Sequence, residues 1–168
     1  TFINTKAISG ASLGQVYLAK IKDQDVIVKV KRPGIENIIE QDIKVLKKVL
    51  PIAMRFVDPN LRFSAQSMLS QFIETIHEEL DYTIESQNLK KIKQNLTRYQ
   101  NVKIPQVYDE YSSKNVLTME YIPGIKITNI EDLDKKGIDR QKIVIDVHKV
   151  FFTMLLRDSI FHADRKST

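Results

Sequence analysis

The most informative part of the sequence is a ten-residue run of mostly apolar residues that includes two lysines and leads into a Pro-Gly turn. It reads Val26-Ile27-Val28-Lys29-Val30-Lys31-Arg32-Pro33-Gly34-Ile35. The β-branched residues predict a strand over 26–30, and Pro33-Gly34 ends it. An ammonium in the middle of an apolar strand is costly unless an anion pairs with it. Lys29 is therefore the first candidate functional residue, with a strand-edge lysine that reaches water as the alternative.

A small-residue loop and a second strand precede this run. The loop spans 8–16 and contains Ala11, Ser12 and Gly14. Small side chains let backbone amides approach phosphate oxygens closely, although an ordinary turn between two strands would look the same. The strand at 15–19 and the strand at 26–30 flank a polar turn, which predicts an antiparallel hairpin.

After Pro33-Gly34 the apolar spacing changes from the period of a strand to that of a helix. It predicts, in order, a helix over 35–50 that Pro51 kinks or ends, a second long helix over 64–95, strands at 102–107 and 116–122, a short helix over 131–136 closed by Gly137, and a third long helix over 139–158.

The second long helix supplies candidate anionic partners for Lys29. Its acidic side chains are Glu74, Glu78, Glu79, Asp81 and Glu85. Five ionised carboxylates cannot all be buried, so at most one or two of them meet the lysine. Helical spacing alone does not choose between them.

Composition limits the classes of protein that remain. The 168 residues are 42% hydrophobic, which excludes a disordered chain, and the absence of cysteine excludes disulfides, thiolate zinc sites and a cysteine nucleophile. The apolar stretches are far shorter than the ~20 residues that span a bilayer, and we expect a cytoplasmic location. The net charge of +5 comes from alternating basic and acidic blocks, which are typical of solvated helix faces. No nucleic-acid partner is expected.

Taken in order, five stretches of the chain resemble the UbiB/AarF family of atypical kinase-like proteins, which is linked to ubiquinone and other isoprenoid-lipid pathways. They are Ala11–Val16, Val28–Ile35, Glu79–Tyr82 with Glu85 and Asn88, Val116–Tyr121, and Phe161–Asp164. The resemblance implies an α+β, protein-kinase-like fold. A β-rich N-lobe with long inserted helices would occupy 1–122, and the hinge and the start of a helical C-lobe would occupy 123–168.

The resemblance also implies a site for ATP and Mg²⁺. Lys29 corresponds to the strand lysine that holds the α- and β-phosphates, Glu79 to its ion-pair partner, and Glu85 to the alternative partner. Asp164 corresponds to the catalytic-loop aspartate that orients or deprotonates the phosphate acceptor. The other residues implied in nucleotide binding are Ala11, Ser12, Gly14 and Val16 in the loop, and Met119, Glu120 and Tyr121 at the hinge.

The chain departs from the family after Asp164. The family continues with Pro-His-Pro-Gly-Asn, whereas here Arg165-Lys166-Ser167-Thr168 follows, without the metal-binding asparagine or the later Asp-Phe-Gly. We therefore expect this chain to be an inactive fragment, and we assign no metal ligands to it. The parent protein would be an ATP-dependent phosphotransferase or ATPase that supports quinone or isoprenoid-lipid biosynthesis.

Three other interpretations remain. A non-catalytic ATP-sensing or scaffold module of the same fold is the main alternative. Aminoglycoside and choline kinases share the His-x-Asp loop but fit the Lys31–Gly34 and Glu79–Asp81 stretches less well. A nucleic-acid module ranks last. Besides a nucleotide, the partners that the family implies for the full-length protein are membrane lipid and quinone-biosynthesis proteins, with peripheral attachment to the membrane.

Overall fold

The computed structural model describes residues 2–3, 6–56 and 58–158 as a mixed α/β chain. Within them, one antiparallel sheet contains β1 (Phe2–Ile3), β2 (Ser9–Gly10), β3 (Gly14–Ile21), β4 (Gln24–Lys31) and β5 (Val116–Glu120). The strand order is β1-β3-β4-β5, and β2 also pairs with β3. The helices are α1 (Ile35–Ala53), α2 (Pro59–Glu79), α3 (Tyr82–Asn95), α4 (Ile130–Lys135) and α5 (Arg140–Thr153). Short 3₁₀ turns occupy Met54–Phe56 and Asp109–Tyr111, and a π-helical turn occupies Met154–Asp158.

The chain divides into two compact units. The first contains residues 1–86 and 107–120, and the second contains residues 87–106 and 121–168. The first unit therefore carries the whole sheet with α1 and α2, while the second carries α4 and α5. The proposed boundary between a kinase-like N-lobe at 1–122 and a partial C-lobe at 123–168 stays a prediction.

The predicted hairpin is present and is longer than the sequence pattern indicated. Strands β3 and β4 pair from Gly14 opposite Lys31 to Ile21 opposite Gln24. Lys22 and Asp23, at the tip, have φ values of 46° and 65°, the left-handed conformations that a two-residue hairpin turn requires. The sheet buries one face around Ala19, Ile21, Val26 and Val28.

The second unit has its own apolar core. Ile92 of α3 and Leu96, directly after α3, are buried and pack with Met154, which follows α5. Asp139 caps α5, as its carboxylate accepts the backbone N–H groups of Gln141 and Lys142. Among the described residues, none of the helices combines the length and hydropathy that crossing a bilayer requires.

Two helix predictions need correction. Pro51 does not end α1, which continues for two more residues to Ala53. The single helix predicted over 64–95 is two helices that are separated at Leu80 and Asp81. Asp81 interrupts it, because its carboxylate accepts the backbone N–H of Thr83 at 2.9 Å and so caps α3.

The predictions for the elements between residues 102 and 158 are confirmed in part. The strand predicted over 102–107 is wrong: only Val107 forms a bridge, to Met119, and Pro105 has no amide N–H for a ladder. The strand predicted over 116–122 is β5, which ends at Glu120. The short helix is α4, and Gly137 ends it with a φ of +64°, where glycine is favoured. The long helix predicted over 139–158 changes from α to π geometry after Thr153.

Candidate functional site

One face of the sheet collects several of the predicted site residues. In antiparallel strands, directly paired residues share a face, and so do residues two apart on one strand. Val16 of β3 pairs with Lys29 of β4, which pairs with Leu117 of β5. Gly14 and Met119 lie two residues from Val16 and Leu117, so they belong to the same face. The half-buried side chains of Val16 and Met119 thus lie on the face that carries the Lys29 ammonium.

The partner of Lys29 is Glu85, in the first turn of α3. The Lys29 Nζ atom lies 2.7 Å from the Glu85 Oε2 atom, and both side chains are largely buried. A carboxylate in the first turn of a helix is also favoured by the helix dipole. The prediction of Glu79 as the ion-pair partner is therefore corrected in favour of the alternative, Glu85.

Glu79 lies beside the small-residue loop instead. Its Oε2 atom accepts a hydrogen bond from the Ser12 hydroxyl, with an O–O distance of 3.4 Å, at the exposed end of α2. The end of α2 at Glu79 and the break before Tyr82 place Glu79 and Glu85 on different helices. The two acids therefore meet different parts of the same site.

The loop from Ala11 to Gly14 is a tight turn closed by backbone hydrogen bonds. The Ala11 N–H donates to the Gly14 carbonyl at 3.0 Å, and the Gly14 N–H donates to the Ala11 carbonyl at 3.4 Å. The Arg32 N–H donates to the Leu13 carbonyl at 3.0 Å, which ties the loop to the end of β4. The loop is thus fixed against the strand that carries Lys29.

A second lysine on this face has a structural role that sequence reasoning missed. Lys31 is buried, and its Nζ atom donates to the Leu80 carbonyl and lies 2.8 Å from a carboxylate oxygen of Glu36. The Lys31 hydrogen bond and charge, with Lys114 nearby, hold the pKa of Glu36 below its usual value. Lys31 therefore joins β4 to the start of α1 and the end of α2. Its two-residue spacing from Lys29 was the available signal.

Tyr82 is the other residue that the sequence did not single out for a role. It is the first residue of α3, only 2% exposed, and its backbone N–H donates to the Lys114 carbonyl at 3.1 Å. The Lys29 Nζ atom lies 4.7 Å from the centre of its ring. Burial, with Glu85 and Glu79 adding smaller effects, raises the pKa of the Tyr82 phenol to about 12, so the side chain is neutral at physiological pH.

The remaining predicted site residues are Glu120, Tyr121 and Asp164. Glu120 ends β5 and is half-buried, and Tyr121 belongs to the second unit. Asp164, the predicted catalytic residue, lies outside the described residues. Over residues 2–3, 6–56 and 58–158, no three His, Asp or Glu side chains are grouped so as to hold a metal ion. The described side chains alone therefore do not make up a Mg²⁺ site.

Comparison with family models decides the classification. Residues 1–167 match the model of the ABC1 atypical kinase-like domain. The chain belongs to the ABC1 family. The solved Rv3197–erythromycin complex from Mycobacterium tuberculosis is similar with a TM-score of 0.66 and 23% identity, over 77% of this chain and 32% of that one. At this identity the likeness supports the fold alone, and the predicted α+β, kinase-like fold is confirmed.

Curated ABC1 relatives are similar over almost the whole chain. The chain is 37% identical over 160 residues to Protein ACTIVITY OF BC1 COMPLEX KINASE 8, chloroplastic, from Arabidopsis thaliana. The match covers 94% of this chain and 21% of that protein. The chain is 32% identical over 169 residues to a probable protein kinase UbiB from Histophilus somni, over 98% and 31% of the two chains. The predicted resemblance to UbiB is thus confirmed. The chain spans less than a third of the length of either relative.

The two acids at the site predict different losses when they are neutralised. We expect Glu85→Gln in the full-length protein to weaken Mg-ADP binding about tenfold, because the hydrogen bond between Lys29 and a charged acceptor becomes one to a neutral amide. Glu79→Gln should cost less, because its contact with Ser12 is longer and exposed. Isothermal titration calorimetry measures both, with the exposed Glu78→Gln as the matched control. A larger loss for Glu79→Gln than for Glu85→Gln would restore Glu79 as the functional partner.

Proposed function

We propose that this chain supplies the nucleotide-binding part of an ATP-dependent ABC1 kinase-like protein. The observation that carries the proposal is the 2.7 Å ion pair between Lys29 and Glu85, on a sheet face that begins at the small-residue loop. Such a pair holds an ammonium in a fixed orientation in a partly buried environment. A phosphate group is the ligand class that an oriented lysine beside a loop of small residues suits best.

Each residue then has a defined task. Lys29 binds the α- and β-phosphate oxygens, while Glu85 holds its ammonium in place. The small residues Ala11, Ser12 and Gly14 let phosphate oxygens approach the loop backbone closely. Val16 and Met119 offer apolar surface on the same face for a flat base. ATP, when bound, supplies the transferable γ-phosphoryl group.

The activity of the longer protein is a further part of this proposal. The names of the relatives, a probable protein kinase UbiB and Protein ACTIVITY OF BC1 COMPLEX KINASE 8, chloroplastic, support a kinase-like role. The resemblance to the UbiB/AarF family implies that this role is connected with quinone or isoprenoid-lipid biosynthesis. Asp164 would orient or deprotonate the phosphate acceptor, or the water in an ATPase. Membrane lipid or quinone-biosynthesis proteins are the partners that this role implies, with peripheral attachment to a membrane.

The test of nucleotide binding compares ligands that differ in their phosphates. Full-length protein is titrated with ATP, ADP and adenosine in the presence of Mg²⁺. Because Lys29 would contact phosphate and not the base, we expect ATP and ADP to bind at least about tenfold more tightly than adenosine. Equal affinity for adenosine and ADP, or no binding of any of the three, would overturn the proposal.

A second measurement separates an enzyme from an ATP-sensing module. Phosphate release and transfer from labelled ATP are followed for the full-length protein and for Asp164→Asn. Activity that the substitution abolishes, with ATP affinity kept, supports phosphoryl transfer or hydrolysis. Tight ATP binding with no turnover in either protein would favour the non-catalytic sensor or scaffold.

A further inference from the structure

The Tyr82 side chain lies near both the small-residue loop and the Lys29–Glu85 ion pair. Its ring lies under the Lys29 ammonium at 4.7 Å and near the Lys31 ammonium at 5.9 Å, both measured to the ring centre. A neutral aromatic face attracts a cation most strongly when water is excluded, and Tyr82 is 2% exposed. The ring is therefore placed to hold the Lys29 ammonium on the side where Glu85 lies.

The other end of the side chain meets the small-residue loop. A Cβ atom added to Gly14 would lie 2.6 Å from the Tyr82 hydroxyl oxygen and 2.5 Å from the Val30 carbonyl oxygen. Both distances are too short for any side chain to fit without movement. Gly14 is thus glycine at least partly because the Tyr82 phenol fills the space beside it, and this requirement exists without any bound phosphate.

The Tyr82 hydroxyl makes no hydrogen bond that would stabilise the described part of the chain. It is buried, and no described residue offers it a hydrogen-bond partner. An unpaired buried polar atom costs free energy, and phenylalanine would fill nearly the same space without that cost. The hydroxyl instead extends the side chain as far as Gly14, which a phenyl ring would not reach as closely.

We propose that Tyr82 is a positioning residue of the phosphate-binding site. Its hydroxyl end holds the loop in place at Gly14, and its ring orients the Lys29 ammonium toward Glu85. The inference rests on the proposed function, because it concerns the same lysine and the same loop. Tyr82 would touch neither the phosphates nor the base. It would act through Lys29 and the small-residue loop, which contact the phosphates. Since the phenol stays neutral, its contribution should be the same at pH 6.5 and pH 8.5.

The first experiment uses the ratio of ADP affinity to adenosine affinity in full-length protein. Tyr82→Phe keeps the ring and loses only the hydroxyl contact with the loop, so it should lower this ratio no more than about twofold. Tyr82→Leu and Tyr82→Met also remove the ring and should lower the ratio about 5- to 30-fold. A purely structural role would change the unfolding temperature without changing the ratio. Tyr111→Leu, at an exposed tyrosine in the same unit, is the matched control and should leave the ratio unchanged.

Each outcome is informative. Failure of the wild-type protein to prefer ADP overturns the proposed function and the positioning role with it. Wild-type preference for ADP, with the same ratio in folded Tyr82→Leu or Tyr82→Met, overturns the inference alone. An equal loss in Tyr82→Phe and Tyr82→Leu would also overturn it, because the ring would then not be the orienting element.

The second experiment needs no nucleotide and tests the contact with the loop. Gly14→Ala should lower the unfolding temperature in the wild-type background, and it should lower it less in the Tyr82→Phe background. The rescue is partial, since the Val30 carbonyl remains 2.5 Å from the added Cβ position. Equal shifts in both backgrounds would show that Tyr82 and Gly14 are not coupled and would overturn the seating of the loop.

Discussion

Replacing Lys29 by alanine in the full-length protein is expected to weaken Mg-ADP binding about 100-fold, the upper part of the range for hydrogen bonds to charged groups. The loss should be this large because the Lys29 ammonium is the cation that the Glu85 carboxylate orients at 2.7 Å. Adenosine affinity should change little, since the lysine would contact phosphate alone. Titration calorimetry with both ligands measures the two effects in one preparation of each variant.

The matched control for this substitution lies on the same hairpin. Lys20 is an exposed residue of β3, and its ammonium lies 3.8 Å from an Asp25 carboxylate oxygen across the strand pair. Lys20→Ala removes the same side chain and the same charge, but exposed ion pairs contribute little. It should change ADP affinity less than twofold at physiological salt. A similar loss for both variants would mean that general positive charge, and not an oriented lysine, attracts the nucleotide.

Local patterns in the sequence were sufficient to predict the sheet that carries the site. The strand-forming residues at 15–19 and 26–30, with a polar turn between them, predicted the hairpin, and Pro33-Gly34 predicted its end. Once two strands pair, the position of Lys29 relative to Gly14 and Val16 follows from the register. These features depend on neighbours within a few residues, which is why the sequence alone was enough.

The partner of Lys29 could not be predicted in the same way. Apolar spacing predicted one helix over 64–95, on which the acidic residues would share a continuous surface. In the structure, the Asp81 cap starts a new helix, and the Tyr82 N–H donates to the Lys114 carbonyl more than thirty residues away. That contact between distant segments determines how Glu85 meets Lys29. Helical periodicity carries no information about it.

The roles of Tyr82 and Lys31 were missed for a related reason. Each is explained by the groups it contacts, Gly14 and Lys29 for the tyrosine, and Leu80 and Glu36 for the lysine. The sequence shows a tyrosine after an acidic motif and a lysine two residues after another. Neither pattern distinguishes a buried side chain from an exposed one. Only the contacts of Lys29 and Lys31 with the segment at 80–85 make the distinction.

The sheet below the site should be the most sensitive part of the first unit to truncation. Leu117 is fully buried in β5, directly opposite Lys29 of β4. We expect Leu117→Ala to lower the free energy of unfolding by about 2–5 kcal/mol, the usual cost of removing a buried leucine side chain and leaving a cavity. Urea denaturation followed by circular dichroism measures the change. Because β5 holds β4 in register, ADP affinity should also fall in the fraction that remains folded.

The same substitution at an exposed leucine separates burial from residue type. Leu156 is 79% exposed, so Leu156→Ala should change the free energy of unfolding by no more than about 0.5 kcal/mol. If both variants lost the same stability, burial of Leu117 would not be the cause. If Leu117→Ala lost stability but kept full ADP affinity when folded, β5 would stabilise the sheet without positioning Lys29. That result would leave Glu85 and Tyr82 as the side chains that orient the ammonium.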